Sequence, residues 1–132
     1  MKILIVNAEY YKSFSNSILN STINYLKKNR IKFSIFKVTG VFEIPVVIAK
    51  HINKFDGFIA LGCVIKGETP HFDLICQATF KGIMNLSINK KKPIGNGIIT
   101  ALNTVQAKKR CKKKGLEAAK AVKAVLKNVP TK

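Results

Sequence analysis

A chain of 132 residues, 47% hydrophobic and 23% charged, has the balance of a folded globular protein and fits one domain over residues 1–132. Its three cysteines, Cys63, Cys76 and Cys111, are an odd count without CxxC spacing, which argues against a disulfide framework and against a zinc site. The formal charge of +18 suits an anionic partner, yet lysines scattered among Asn and Ile can equally be a solvated surface.

In chain order, Lys2–Val6 is a short β-rich run ending at polar Asn7, and it turns polar too soon for a signal peptide. Apolar residues at 14, 18, 19, 23 and 26 mark one face of a helix from Phe14 to Leu26. Lys32–Val38 is strand-like and closes at Thr39-Gly40, and Pro45 stands where a first helical turn tolerates it, with Val46–Ile52 following as a short helix. Phe58–Val64 is a continuous apolar run, as a parallel strand buried on both faces requires. Phe72–Ile88 has helical spacing, and Pro93–Ala101 is a fourth strand. Thr104 can cap a helix holding Gln106 and Arg110, and Gly115 separates this from a last helix with apolar positions 118, 119, 122, 125, 126 and 129. No run approaches the roughly 20 apolar residues of a membrane span. Buried thiols and the lack of a leader pattern predict a cytoplasmic protein.

Strand alternating with helix predicts an α/β fold of three layers, α/β/α, around a four-stranded parallel sheet, flavodoxin-like. Right-handed crossovers bring the loops Asn7–Lys12, Thr39–Ile44, Lys66–His71 and Thr100–Thr104 to one edge of that sheet, where ligands bind in such folds. Tyr10 offers a flat ring for stacking on a heterocycle, or packs on a helix. Glu43 precedes a helix, where it either favours the helix dipole or accepts hydrogen bonds from ligand hydroxyls. Gly67 allows close backbone approach to an anion, and successive N–H groups from Lys66 to Thr69 can form a nest. His71, after Pro70, stands at a helix start and can move protons, with Asp73 either fixing its tautomer or acting as a first-turn acid. Within the run Lys108–Lys114, Arg110 carries the planar fork suited to phosphate, although such runs are commonly a solvated face. His51 and His71 lack joint metal spacing and His51 is expected to be exposed, so no metal is expected. GxGxxG, GxxxxGK[ST] and GxSxG are all absent.

Four ordered segments, TGVFEIP (39–45), FDGFIALGCVIKGETPHFD (55–73), KPIGNGIIT (92–100) and VQAKKR (105–110), resemble the lumazine synthase family over nearly the whole chain. The resemblance implies an enzyme of riboflavin biosynthesis. Such enzymes condense 5-amino-6-ribitylaminouracil with dihydroxybutanone phosphate, giving 6,7-dimethyl-8-ribityllumazine, phosphate and water without a cofactor. It also implies pentamers or their multiples, with each active site between adjacent subunits. By position, Tyr10 matches the aromatic that stacks on the pyrimidine, and Val41, Phe42 and Glu43 the segment that holds the ribityl chain and ring. Cys63, Val64 and Ile65 match the stretch that reads the uracil edge, Gly67, Glu68 and Thr69 the phosphate turn, Arg110 the phosphate arginine, and His71 the proton-transfer histidine. Lys114, before Gly115, resembles the lysine of an NKG motif. The departures are Lys66, where many members have arginine, and Asn96, where many have an aromatic beside the pyrimidine. A short Cys111–Lys114 loop without the glycine-rich segment common in shell-forming members favours a pentamer or a pair of pentamers over a shell. The competing readings are a non-catalytic scaffold of the same fold and a basic nucleic-acid-binding protein. No RRM, helix-turn-helix or zinc-finger signature supports the latter, so no dedicated nucleic acid is expected as a partner.

Overall fold

The apolar periods of the sequence become four strands and four main helices in the computed structural model, which describes residues 1–131. The order is β1 (Lys2–Ala8), α1 (Lys12–Lys28), β2 (Lys32–Val38), a 3-10 turn (Val41–Glu43), α2 (Ile44–Lys50), β3 (Gly57–Ile65), α3 (His71–Lys90), β4 (Ile94–Ala101) and α4 (Thr104–Lys127). All strand pairs are parallel and the sheet order is β2-β1-β3-β4. Alternation along the strands divides the core in two. Ile3, Ile5, Ile59, Leu61 and Ile99 face α1 and α4, whereas Leu4, Val6, Phe58, Ala60 and Ile98 face α2 and α3. The three-layer α/β/α expectation therefore holds, with β3 buried on both faces from Gly57 to Cys63.

The C-terminal third differs from the expectation. Residues 104–127 form one continuous helix, so Cys111–Lys114 is helix interior and Gly115 is no boundary. The flanking Arg, Lys, Leu, Glu and Ala residues, all good helix formers, outweigh the roughly 1 kcal/mol that a central glycine costs. Gly115 instead lets two helices meet, since a Cβ there would lie 2.6 Å from the Ile18 carbonyl oxygen of α1. The helix is capped by Asn103 rather than Thr104, its side-chain oxygen accepting from the Gln106 N–H at 3.0 Å. Val125 and Val129, assigned to the apolar face, are exposed, and Val129 lies beyond the helix end. His51 is half-buried rather than exposed. It ends α2, with Nδ1 2.8 Å from the Val47 carbonyl oxygen and its ring edge-on to Phe36. All three cysteines are free and buried, Cys111 included, despite its place in a lysine run.

Candidate active site

In a sheet of order 2-1-3-4 the chain leaves β1 toward one side and returns to the other, so the crevice past the carboxyl ends of β1 and β3 is a topological switch point. A cavity of about 470 Å³ lies there. It is lined by Tyr10 and Tyr11 after β1, Thr39–Glu43 after β2, Cys63, Val64 and Ile65 at the end of β3, and His71 and Ile75 on the first turns of α3. One chain thus brings together Tyr10, Val41, Phe42, Glu43, Cys63, Val64, Ile65 and His71 of the expected residues.

Each part has a local cause. β1 pairs with β3 only as far as Asn7 opposite Leu61, while β3 stays paired with β4 through Ile65 opposite Ala101. The cavity side of Cys63–Ile65 is therefore an open edge of peptide N–H and C=O groups, the surface a planar amide-bearing ring needs. Glu43 holds its own turn: its carboxylate accepts from the Gly40 N–H at 3.1 Å, and its N–H donates to the Gly40 carbonyl at 3.2 Å. That bond uses one carboxylate oxygen and leaves the other for a ligand hydroxyl. Tyr10 and Phe42 stand 69% and 57% exposed, aromatic rings that the fold itself does not bury. Tyr10 packs edge-on against Tyr11 with ring centroids 4.9 Å apart.

Tyr11, Thr39, Gly40 and Ile75 line the cavity and were not singled out from sequence. Ile75 follows His71 by one helical turn, so spacing alone points to it. Burial, then the neighbouring Tyr10 and Cys63, pushes the Tyr11 phenol up from its ordinary value. Burial, and next Cys111, pushes the Cys63 thiol up to about 11. The Cys76 and Cys111 thiols rise for the same first reason. None of the three is an activated nucleophile. His71 is exposed at the start of α3, and its backbone N–H donates to Thr69 Oγ1 at 3.4 Å. Asp73 lies in the same first turn and, among the described residues, makes no hydrogen bond to His71, which favours its simpler role as a helix-start acid.

The remaining expected residues lie elsewhere on the chain. Gly67, Glu68 and Thr69 are exposed in the loop after β3, and space is open where a Gly67 side chain would be. Arg110 and Lys114, one turn apart on α4, line a second cavity of about 430 Å³ beyond β4 with Thr100, Lys109, Lys113 and Glu117. There Arg110 Nη1 donates to the Thr100 carbonyl at 2.9 Å. Asn96 is exposed on β4, an edge strand, with its side-chain oxygen accepting from the Ile98 N–H at 3.1 Å. It stands five residue steps before the strand end at Ala101, about 16 Å of strand. Asn96, Arg110 and Lys114 thus do not meet Tyr10 and His71 within one chain. Among the described residues no group of three His, Cys, Asp or Glu side chains could hold a metal.

The family model for 6,7-dimethyl-8-ribityllumazine synthase matches residues 1–130. Curated relatives carry the same name. The protein of Bartonella tribocorum is 40% identical over 113 residues, covering 83% of this chain and 75% of the relative. Those of Rhodopseudomonas palustris and Cutibacterium acnes are 36% and 35% identical, each covering at least 95% of this chain and at least 80% of the relative. On this likeness, which runs through every element that builds the cavity, the chain belongs to the 6,7-dimethyl-8-ribityllumazine synthase family.

Proposed function

We infer that this protein is a transferase that condenses 5-amino-6-(D-ribitylamino)uracil with 3,4-dihydroxy-2-butanone 4-phosphate, giving 6,7-dimethyl-8-ribityllumazine, phosphate and water, the penultimate step of riboflavin biosynthesis. The observation that carries this reading is the crevice between β1 and β3, which gathers a flat aromatic, an open peptide edge, a carboxylate and a histidine in one cavity.

In this reading Tyr10 stacks on the pyrimidine while the Cys63–Ile65 edge reads its amide groups. Val41, Phe42 and Glu43 hold the ribityl chain. The amine attacks the ketone, water leaves to form an imine, phosphate is eliminated, and the ribitylated nitrogen closes the ring with loss of a second water. His71 moves the protons these steps require. The N–H groups of Gly67, Glu68 and Thr69, together with Arg110, stabilise the phosphate as it departs. No cofactor takes part. Much of the acceleration comes from holding the two substrates in register.

Arg110, Lys114 and Asn96 reach such a site only from a neighbouring chain, which supports a homo-oligomer, a pentamer or a pair of pentamers. Exposed Val46 on α2 and Leu74, Met84 and Ile88 on α3 give a second copy apolar surface to cover. Residues 1–132 act as one lumazine-synthase-like domain in the cytoplasm. No helix among the described residues is long and apolar enough to cross a membrane.

The test is lumazine absorbance after mixing purified protein with both substrates, less the uncatalysed rate. A protein-dependent rate that collapses in His71→Ala supports the reading. A folded, oligomeric sample with no rate above background refutes it and leaves the scaffold alternative.

A further inference from the structure

Resting on the reading that Arg110 takes the phosphate, we propose that Gln106 and Asn103 are positioning residues that hold this guanidinium in its binding pose. Neither residue lines the cavity that contains Arg110.

The argument starts with the two-residue connection between β4 and α4. Leu102 and Asn103 form it, and two side chains close it. The Gln106 side-chain oxygen accepts from the Leu102 N–H at 2.9 Å, and the Asn103 side-chain oxygen accepts from the Gln106 N–H at 3.0 Å. This is a capping box shifted by one residue, since the third helical residue reaches back past the cap to the residue before it. It fixes the angle at which α4 leaves the strand.

Arg110 follows Gln106 by four residues and so projects from the same helical face, back toward the strand end. There it spends one of its five donors on the Thr100 carbonyl at 2.9 Å. That carbonyl belongs to the strand end whose geometry the capping pair sets. The adjacent Ala101 carbonyl accepts from the Lys66 N–H at 2.9 Å, so the start of the Gly67–Thr69 loop is tied to the same strand end. A flexible arginine is thereby held at both ends, by its helix and by its tip, before any anion arrives. A fork that is already oriented loses less rotamer freedom when phosphate binds.

Gln106→Met tests this, because it keeps side-chain volume and helix propensity while removing the acceptor for Leu102. The expected result is a KM for the phosphorylated substrate raised about tenfold, the lower end of what losing an outer hydrogen-bond partner costs a metal site. The pyrimidine KM and kcat should stay within about twofold, the split expected when uniform binding of one substrate is weakened. Asn103→Ser retains a capping oxygen and should behave as the parent protein. Leu126→Ala, which trims α4 far from this turn, should lower stability and leave both KM values in place. An unchanged KM in Gln106→Met, beside a raised one in Arg110→Ala, overturns the positioning role while sparing the phosphate assignment. An unchanged KM in Arg110→Ala overturns both.

Discussion

Replacing Gly115 with alanine sets two effects of opposite sign against each other. Alanine in a helix interior is favoured over glycine by roughly 1 kcal/mol. The added methyl group would stand 2.6 Å from the Ile18 carbonyl oxygen and 3.0 Å from Ser21 Oγ, while real Cβ atoms essentially never come within 3.0 Å of a neighbour. The serine hydroxyl can swing away, but the Ile18 carbonyl is backbone inside α1. The helices must therefore part by about half an ångström, and overpacking of this kind costs about 1–3 kcal/mol. Thr22, whose hydroxyl donates to that same carbonyl at 2.8 Å, blocks the other way out. The overlap wins, with a net destabilisation of up to about 2 kcal/mol. Urea unfolding at fixed protein concentration measures it, since the proposed assembly would make apparent stability concentration-dependent. A shift of α4 also moves Arg110 five residues away, so the KM for the phosphorylated substrate should rise with it. A Gly115→Ala protein more stable than the parent by about 1 kcal/mol would refute the close approach of α1 and α4.

Three further outcomes follow from the site. Tyr10→Ala should weaken pyrimidine binding about tenfold by calorimetry, because stacking on an aromatic is worth about 1–3 kcal/mol, while Tyr10→Phe should bind normally; equal loss in both would point to the hydroxyl instead of the ring. His71→Ala should lower kcat and largely spare pyrimidine affinity, and full activity at every pH would remove its proton-transfer role. The Cys63 thiol, raised to about 11 in the fold, stays protonated where the unfolded chain has begun to release its proton. Its contribution to stability is thus complete below about pH 9 and is lost as pH rises toward 11. Denaturant titrations should fall less steeply over that range in Cys63→Ala, and identical slopes would contradict the shift.

The layered fold and much of the cavity were legible because both rest on local signals. Unbroken apolar runs such as Phe58–Val64 need burial on both faces, and parallel crossovers send every strand's following loop to one edge. His71 at the start of α3 followed from Pro70 before it. What failed was the division of α4, because a glycine reads as a break unless the opposing helix is known. Ile18 and Thr22, which explain Gly115, lie more than ninety residues away in sequence. Tyr11 escaped notice for a related reason, since nothing local distinguishes it from Tyr10 until β1 stops and β3 runs on. Asn96 and Lys114 were identifiable only through family resemblance, and the fork of Arg110 suggested phosphate without showing where it points. Their positions on β4 and α4 give no local hint of the crevice between β1 and β3.

The most direct test of the shared site pairs His71→Ala, slowed in turnover, with Arg110→Ala, slow when the phosphorylated substrate is kept well below its raised KM. Unfolded together and refolded as mixed oligomers, they should recover lumazine formation. Where each site takes its histidine from one chain and its arginine from the next, equal random mixing restores about a quarter of the sites. Recovery near that fraction is the predicted result. A mixture that assembles fully and stays as inactive as its parts would contradict a site built from two chains.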